Sequence, residues 1–197
     1  MAKKKAAPKK AAAKKKAASP TTVYQIKVTL EDSKPPIWRR LLVPPNVTLG
    51  DLHYILQIAM GWTDSHLHQF IIGGKYYGVP DPDMEAIDED RVKLAQIISG
   101  EKFKFRYEYD FGDSWSHLIL VEKILPAEPG QPYPICLTGK RHGPPEDCGG
   151  VYGYDDFVKA MANPKHPEHK SMKEWYGEDF DPEAFDLDEV NAMLTGG

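Results

Sequence analysis

Residues 103 to 124 read FKFRYEYDFGDSWSHLILVEKI, and the reading of this stretch decides the fold. Phe103, Phe105, Tyr107, Tyr109 and Phe111 alternate with charged residues, as on a strand with one face buried. From Trp115 to Ile124 the pattern is again that of a strand. Gly112-Asp113 lies between the two runs and suits a tight turn, so the stretch is expected to form a β-hairpin with positive φ at Gly112 and Trp115 packed inward. Asp-Phe-Gly at 110–112 also spells the magnesium tripeptide of protein kinases. That reading requires a glycine-rich phosphate loop, a strand lysine and a His-Arg-Asp loop, none of which is in the sequence.

Upstream, VYQIKVTL places Tyr24, Ile26, Val28 and Leu30 on one face of a strand beginning near Thr22. PIWRRLLV (36–43) reads as a second strand, and the prolines at both its ends suit an edge position. TLGDLHYILQIAMGW then carries Thr48 as N-cap, Asp51 at N3 and an apolar stripe of Leu52, Ile55, Leu56 and Ala59, with Gly61 as the stop. HLHQFIIGG (66–74) reads as a strand and VKLAQIIS as a short helical piece. PAEPGQPYPICLTGKRHGPPEDCGG is a long Pro/Gly-rich excursion, and GYDDFVKAMAN, HKSMKEWYG and FDLDEVNAML read as short helices. The expectation is an α+β fold: a mostly antiparallel sheet with a strand-strand-helix-strand start, packed on one main helix, plus short C-terminal helices.

The chain has 197 residues and a formal charge of −4, which hides two opposite populations. Residues 1–20 hold Lys3, Lys4, Lys5, Lys9, Lys10, Lys14, Lys15 and Lys16 and no acid. Setting these eight aside leaves 17 of the 25 basic residues against 29 acidic ones, a formal −12. Residues 1–21 are therefore expected to be a disordered Lys/Ala-rich tail able to bind nucleic acid without sequence preference, and residues 22–195 one domain. The acidic run from Glu174 to Glu189 offers the same tail a competing partner in cis. Two cysteines exclude a secreted disulfide framework and point to the cytoplasm, and no apolar run reaches membrane-spanning length, so no membrane partner is expected.

PPIWRRLLVP, the helix ending in MGW, HLHQFIIGGKYYG, YDFGDSWSH and PPEDCGGVYGYDDF occur in order across residues 22–195. Together they resemble the family named after an open reading frame of the root-inducing plasmid, whose members are often found near mobile elements. The resemblance implies an α+β domain and no settled activity. Many relatives carry a cysteine just before PPED, where this chain has His142-Gly143.

Several side chains are candidates for chemistry. In a hairpin centred on Gly112-Asp113, Glu108 faces His117 and Asp110 faces Trp115, with all four on one face. Glu108, Asp110 and His117 are thus catalytic candidates, against the plainer alternative of a cross-strand ion pair worth roughly 0.2–1 kcal/mol. His66 and His68 are two apart on a strand and become metal ligands if His117 supplies a third nitrogen. No cofactor is predicted beyond that possible transition metal. Cys136, His142 and Cys148 lack the short spacing of a zinc knuckle, and a rigid turn with two small buried thiols accounts for them. Arg39 and Arg40 leave opposite faces of their strand, one expected to meet an acid inside the fold and the other to be exposed. The leading reading is a soluble intracellular binding module with an unknown protein partner and a cationic tail. The alternative is a metal-dependent hydrolase or nuclease built from His66, His68, His117, Glu108 and Asp110.

Overall fold

The computed structural model describes residues 21–81, 85–177 and 180–196. The eight tail lysines, and with them the expectation of a disordered arm, lie outside the described residues. Strands β1 (Thr22–Leu30) and β2 (Trp38–Val43) are followed by α1 (Leu49–Met60), β3 (His68–Ile72), β4 (Lys75–Gly78), the two-residue β5 (Ile87–Asp88) and a short α2 (Leu94–Ile97). The hairpin strands β6 (Lys104–Tyr109) and β7 (Trp115–Pro126) come next, then β8 (Ile135–Lys140) and helices α3 (Gly150–Ala162), α4 (His169–Tyr176) and α5 (Leu187–Thr195). The strands form one sheet in the order β5-β4-β3-β6-β7-β1-β2-β8, antiparallel except for β4 with β5. This is the α+β architecture that the alternation of the sequence predicts. No helix among the described residues is long and apolar enough to cross a membrane.

Period-two alternation gives the sheet two different faces. Ile26, Val28, Leu30, Leu41, Val43, Phe70, Phe105, Tyr107, Tyr109, Trp115, Ile119 and Val121 are buried on one face with Leu52, Ile55, Leu56 and Ala59 of α1. Thr48 and Asp51 close a reciprocal capping box on α1, and Gly61 ends it at φ 83°. The other face carries half-buried or exposed Lys27, Trp38, Arg40, Arg106, Glu108 and Glu122.

Three expectations are corrected. Residues 66–74 are not one strand: the chain turns at Gly73-Gly74 and returns as β4. β2 is not at an edge, because ICLTGK, inside the Pro/Gly-rich excursion, forms β8 and covers it. The Asn191 side chain of α5 accepts from the Cys136 N–H and donates to the Cys136 carbonyl, which anchors this outer strand. The hairpin also has a different register, described with the site below.

Arg39 and Arg40 do leave opposite faces, but their partners are the reverse of those expected. Arg40 on the open face forms a two-pronged pair with Glu122 at 2.6 and 2.9 Å. Arg39 is 2% exposed and meets carbonyls instead. Its Nε donates to Ala59 O in the last turn of α1 at 2.6 Å, and its Nη1 donates to Trp38 O and Lys140 O, both at 3.0 Å. The Phe185 ring stacks 4.3 Å from the guanidinium carbon. Burial lowers the Arg39 pKa to about 10, still far above neutrality, so the group stays charged. α1 has no basic residue of its own in its last turn, and Arg39 supplies positive charge at the negative end of the helix dipole.

A lysine ammonium has three donors but carries them on one nitrogen, a compact point that does not reproduce the span between the Nε and Nη1 of the guanidinium. Arg39→Lys is expected to cost about 1–3 kcal/mol in urea unfolding, the range for leaving buried acceptors unpaired. Arg40→Lys, on the open face, should stay within about 1 kcal/mol of the parent chain. Equal losses at the two positions would contradict this assignment.

Candidate functional site

The hairpin tip is a five-residue turn. Its left-handed residues are Asp110 (φ 56°) and Ser114 (φ 54°) rather than Gly112. Asp110 Oδ1 accepts from the N–H groups of Gly112 (2.9 Å) and Asp113 (3.3 Å), and Ser114 N donates to Asp110 O at 2.6 Å. A Cβ at Gly112 would stand 3.2 Å from Asp110 Oδ1, close enough that the carboxylate would have to give by a few tenths of an ångström. The odd loop length pairs Tyr109 with Trp115, Glu108 with Ser116 and Tyr107 with His117.

This register separates the catalytic candidates. Glu108 projects onto the open face, where it accepts from Gln69 Nε2 at 2.7 Å. His117 is fully enclosed on the covered face, its Nδ1 donating to Trp115 O at 3.0 Å. Trp115 is fully buried, as its inward position in the pattern predicts. Burial holds the His117 imidazole at a pKa of about 4, hence neutral at pH 7.

The three predicted metal ligands are likewise divided. His68 opens β3 and lies against Glu89, with Nε2 2.9 and 3.0 Å from the two carboxylate oxygens. Its ring stacks on His53 of α1, centroids 3.5 Å apart and planes within 6°. His53 Nε2 is 2.8 Å from Asp64 Oδ1 and its Nδ1 is 2.8 Å from the Tyr107 hydroxyl, which also accepts from Gln57 Nε2 at 2.9 Å. A carboxylate only accepts, so Nε2 of His53 carries the proton and Nδ1 accepts from the tyrosine. Burial keeps the Tyr107 hydroxyl protonated, and burial followed by the neighbouring His68 lowers the His53 pKa. His66 lies before β3, near Asp110 and Asp147. Among the described residues, His66, His68 and His117 do not share one site, nor do Cys136, His142 and Cys148.

What converges instead is three loops at one end of the sheet: 62–67 after α1, the hairpin tip, and 144–149 before α3. Trp62 Nε1 donates to Pro144 O at 2.9 Å. Thr63 donates through its N–H (3.2 Å) and Oγ1 (2.6 Å) to Glu146 Oε2, and the Tyr109 hydroxyl donates to Glu146 Oε1. Ser65 N donates to the Tyr109 oxygen at 3.0 Å, and burial together with Glu146 raises the Tyr109 pKa. Asp113 Oδ2 accepts from Gly149 N at 3.0 Å, and a Cβ at Gly150 (φ 69°) would stand 2.5 Å from Asp113 O. Asp64, Asp110 and Asp147 all adopt left-handed backbone.

Among the described residues the site offers carboxylates, imidazoles and hydroxyls but no activated nucleophile. Burial, with Asp113 and Asp147 nearby, pushes the Cys148 thiol up to about 12. Ser65 Oγ pairs with Thr63 Oγ1 at 2.7 Å rather than with a histidine. The sequence pattern marks Tyr107 and Tyr109 only as part of a buried strand face, and it does not single out His53 or Gln57. The available signal was a polar pair four apart, His53 and Gln57, on the side of α1 that faces the sheet.

The folded pKa of His117 lies below its unfolded value near 6.5, so the unfolded chain takes up the proton first. The resulting stability is complete above pH 6.5, falls as the pH drops, and is gone near pH 4. The loss attributable to this group is about 3 kcal/mol, and His53 acts in the same direction. His117→Asn should flatten the decline in unfolding free energy between pH 6.5 and 4, whatever it does to stability at pH 7. A slope identical to the parent's would contradict an enclosed, neutral imidazole.

Two similar proteins share this frame without assigning it a task. Uncharacterized protein y4hQ of Sinorhizobium fredii is 41% identical over 177 residues, 88% of this chain and 91% of that protein. The crystal structure of a protein of unknown function, MM3350 from Methanosarcina mazei Go1, superposes with a TM-score of 0.81 at 38% identity and covers 87% of this chain and 99% of its own. The model of the plasmid pRiA4b ORF-3-like proteins matches residues 22–189, the whole sheet and the three loops included, and the chain belongs to that family.

Proposed function

We propose that the protein is an intracellular binding module in two parts: residues 22–195 form a single domain that engages a protein partner, and the lysine-rich segment holds nucleic acid. The observation that carries this reading is the separation of charge, with eight lysines in residues 1–16 and a formal −12 on the remainder. An acidic body repels phosphate, whereas a run of lysines binds it without reading bases.

The geometry supports a division of labour. β1 pairs Thr22 with Pro126 at one end and Leu30 with His117 at the other. The lysine-rich segment therefore joins the body at the far end of the sheet from the three loops. On the open face, Arg40 is matched by Glu122 and Arg106 by Glu31, so those cations are already neutralised. Trp38, with Lys27 4.8 Å and Arg40 5.2 Å from its ring, gives that face an amphipathic patch suited to a protein surface rather than to a phosphate backbone. Two free cysteines suit a reducing cytoplasm, and the plasmid in the family's name accords with an association with mobile DNA. The hydrolase alternative loses support because its candidate residues occupy separate places: Glu108 on the open face, His117 sealed in the core, His68 against Glu89 and His66 beside Asp110.

The test is fluorescence anisotropy of the full-length chain on a random 30-base-pair duplex across a salt series. With about 4–8 lysines engaged, log K against log salt should fall with a slope of about −4 to −7. Replacing the eight lysines with glutamine should abolish binding. If Glu174, Glu183 and Glu189 hold the segment in cis, binding strengthens when they become glutamine. Equal binding by the parent and the eight-glutamine chain at every salt concentration would refute the nucleic-acid half of the proposal.

A further inference from the structure

Two groups of side chains bring three potential ligand atoms within 4.8 Å of one another: His53 with Asp64 and His68, and His66 with Asp110 and Asp147. Orientation separates them. A metal ion lies close to the plane of each imidazole that binds it, along the nitrogen lone pair. The His53 and His68 planes are parallel to within 6° and their centroids are 3.5 Å apart in a stack, so one ion cannot lie in both planes. Their nitrogens are also engaged by Asp64, Tyr107 and Glu89. That group is a packed polar core element.

The second group has the opposite character. His66 Nε2 is buried yet makes no hydrogen bond, although it is 3.2 Å from Asp147 Oδ1 and 3.7 Å from Asp110 Oδ2. Donor atoms held about 2.0–2.2 Å from a tetrahedral zinc ion stand about 3.4 Å from one another, and both separations lie near that value. Asp110 is held in place before any ligand arrives. Its residue is 7% exposed, its backbone N–H donates to Leu67 O at 2.8 Å, and its Oδ1 is occupied by the Gly112 and Asp113 amides. Oδ2 is left facing His66. Among the described residues, the ion pairs of Asp110 and Asp147 are with His66, so two carboxylates share one imidazole and no lysine or arginine bridges them.

We propose that His66 Nε2, Asp110 Oδ2 and Asp147 Oδ1 bind a divalent transition-metal cation of the zinc type. One nitrogen and two oxygens suit zinc, and three protein ligands leave at least one position for water. Asp147, 70% exposed, is the ligand on the solvent side. The ion joins the loop before β3, the hairpin tip and the loop before α3, which Glu146 and Asp113 already hold together. This ligand set replaces the three-histidine set expected from the sequence and does not depend on the nucleic-acid reading.

The experiment is calorimetric titration of Zn2+ into the metal-stripped, full-length chain without a histidine tag at pH 7. About one equivalent should bind the parent, and His66→Ala and Asp147→Asn should each weaken binding at least about tenfold. Because Asp147 is largely exposed, Asp147→Asn is the variant that keeps the fold, verified by an unchanged metal-free melting temperature. Added Zn2+ should then raise that temperature in the parent and not in the variant. No uptake by the parent at about 100 μM Zn2+ would overturn the proposal, as would parent-like binding by both variants. Binding lost in His53→Ala but retained in Asp147→Asn would place the ion at the stacked pair and overturn it equally.

Discussion

The register of β6 against β7 is the constraint on which the rest of the molecule depends. Because side chains alternate along a strand, a slip of one residue exchanges the two faces of the sheet. Here the Asp110 carboxylate captures the amides of Gly112 and Asp113 and makes the loop odd. Tyr107, Tyr109, Trp115 and His117 all turn inward as a result. Tyr107 then meets His53 and Gln57 of α1, Tyr109 meets Ser65 and Glu146, and Trp62 packs against Tyr109 at 4.9 Å. The same turn leaves the second carboxylate oxygen of Asp110 facing His66. A turn residue thus sets both the core and the polar end of the sheet.

A second constraint acts across the opposite half. Among the described residues Arg39 carries a buried charge with no acid paired to it, and carbonyls from α1, β2 and β8 share the guanidinium. Removing a charge from water costs several kcal/mol unless its donors are satisfied, so the geometry around Arg39 has little freedom. α5 closes the region through Phe185 on the guanidinium and Asn191 on the backbone of Cys136. Helix, sheet and C-terminal segment are therefore coupled through polar contacts as well as apolar burial.

The parts of this structure legible in the sequence are those specified locally. α1 was legible because Thr48, Asp51 and Gly61 mark its ends and an apolar stripe marks its face. β1, β6 and β7 were legible from alternation. The hairpin register was not, because one side chain folding back on two amides decides the parity of the loop. β8 was hidden by its proline-rich surroundings and by its dependence on Asn191, 55 residues away. In the site, Asp110 and His66 were visible as residue types, but their meeting with Asp147 requires three loops distant in sequence to converge. The partners of Arg39 are carbonyls, which carry no residue signature at all.

One end of the sheet therefore gathers carboxylates, imidazoles and tyrosine hydroxyls, while the lysine-rich segment joins at the other. All of the polar end follows from which residues of the hairpin lie opposite one another. Cross-strand nuclear Overhauser contacts in the labelled full-length protein read that register directly. The structure pairs Tyr107 with His117 and Tyr109 with Trp115, and contacts between those pairs are expected. Contacts pairing Glu108 with His117 and Asp110 with Trp115 would contradict it, and would return Glu108 to the side of the sheet that the structure gives to the core.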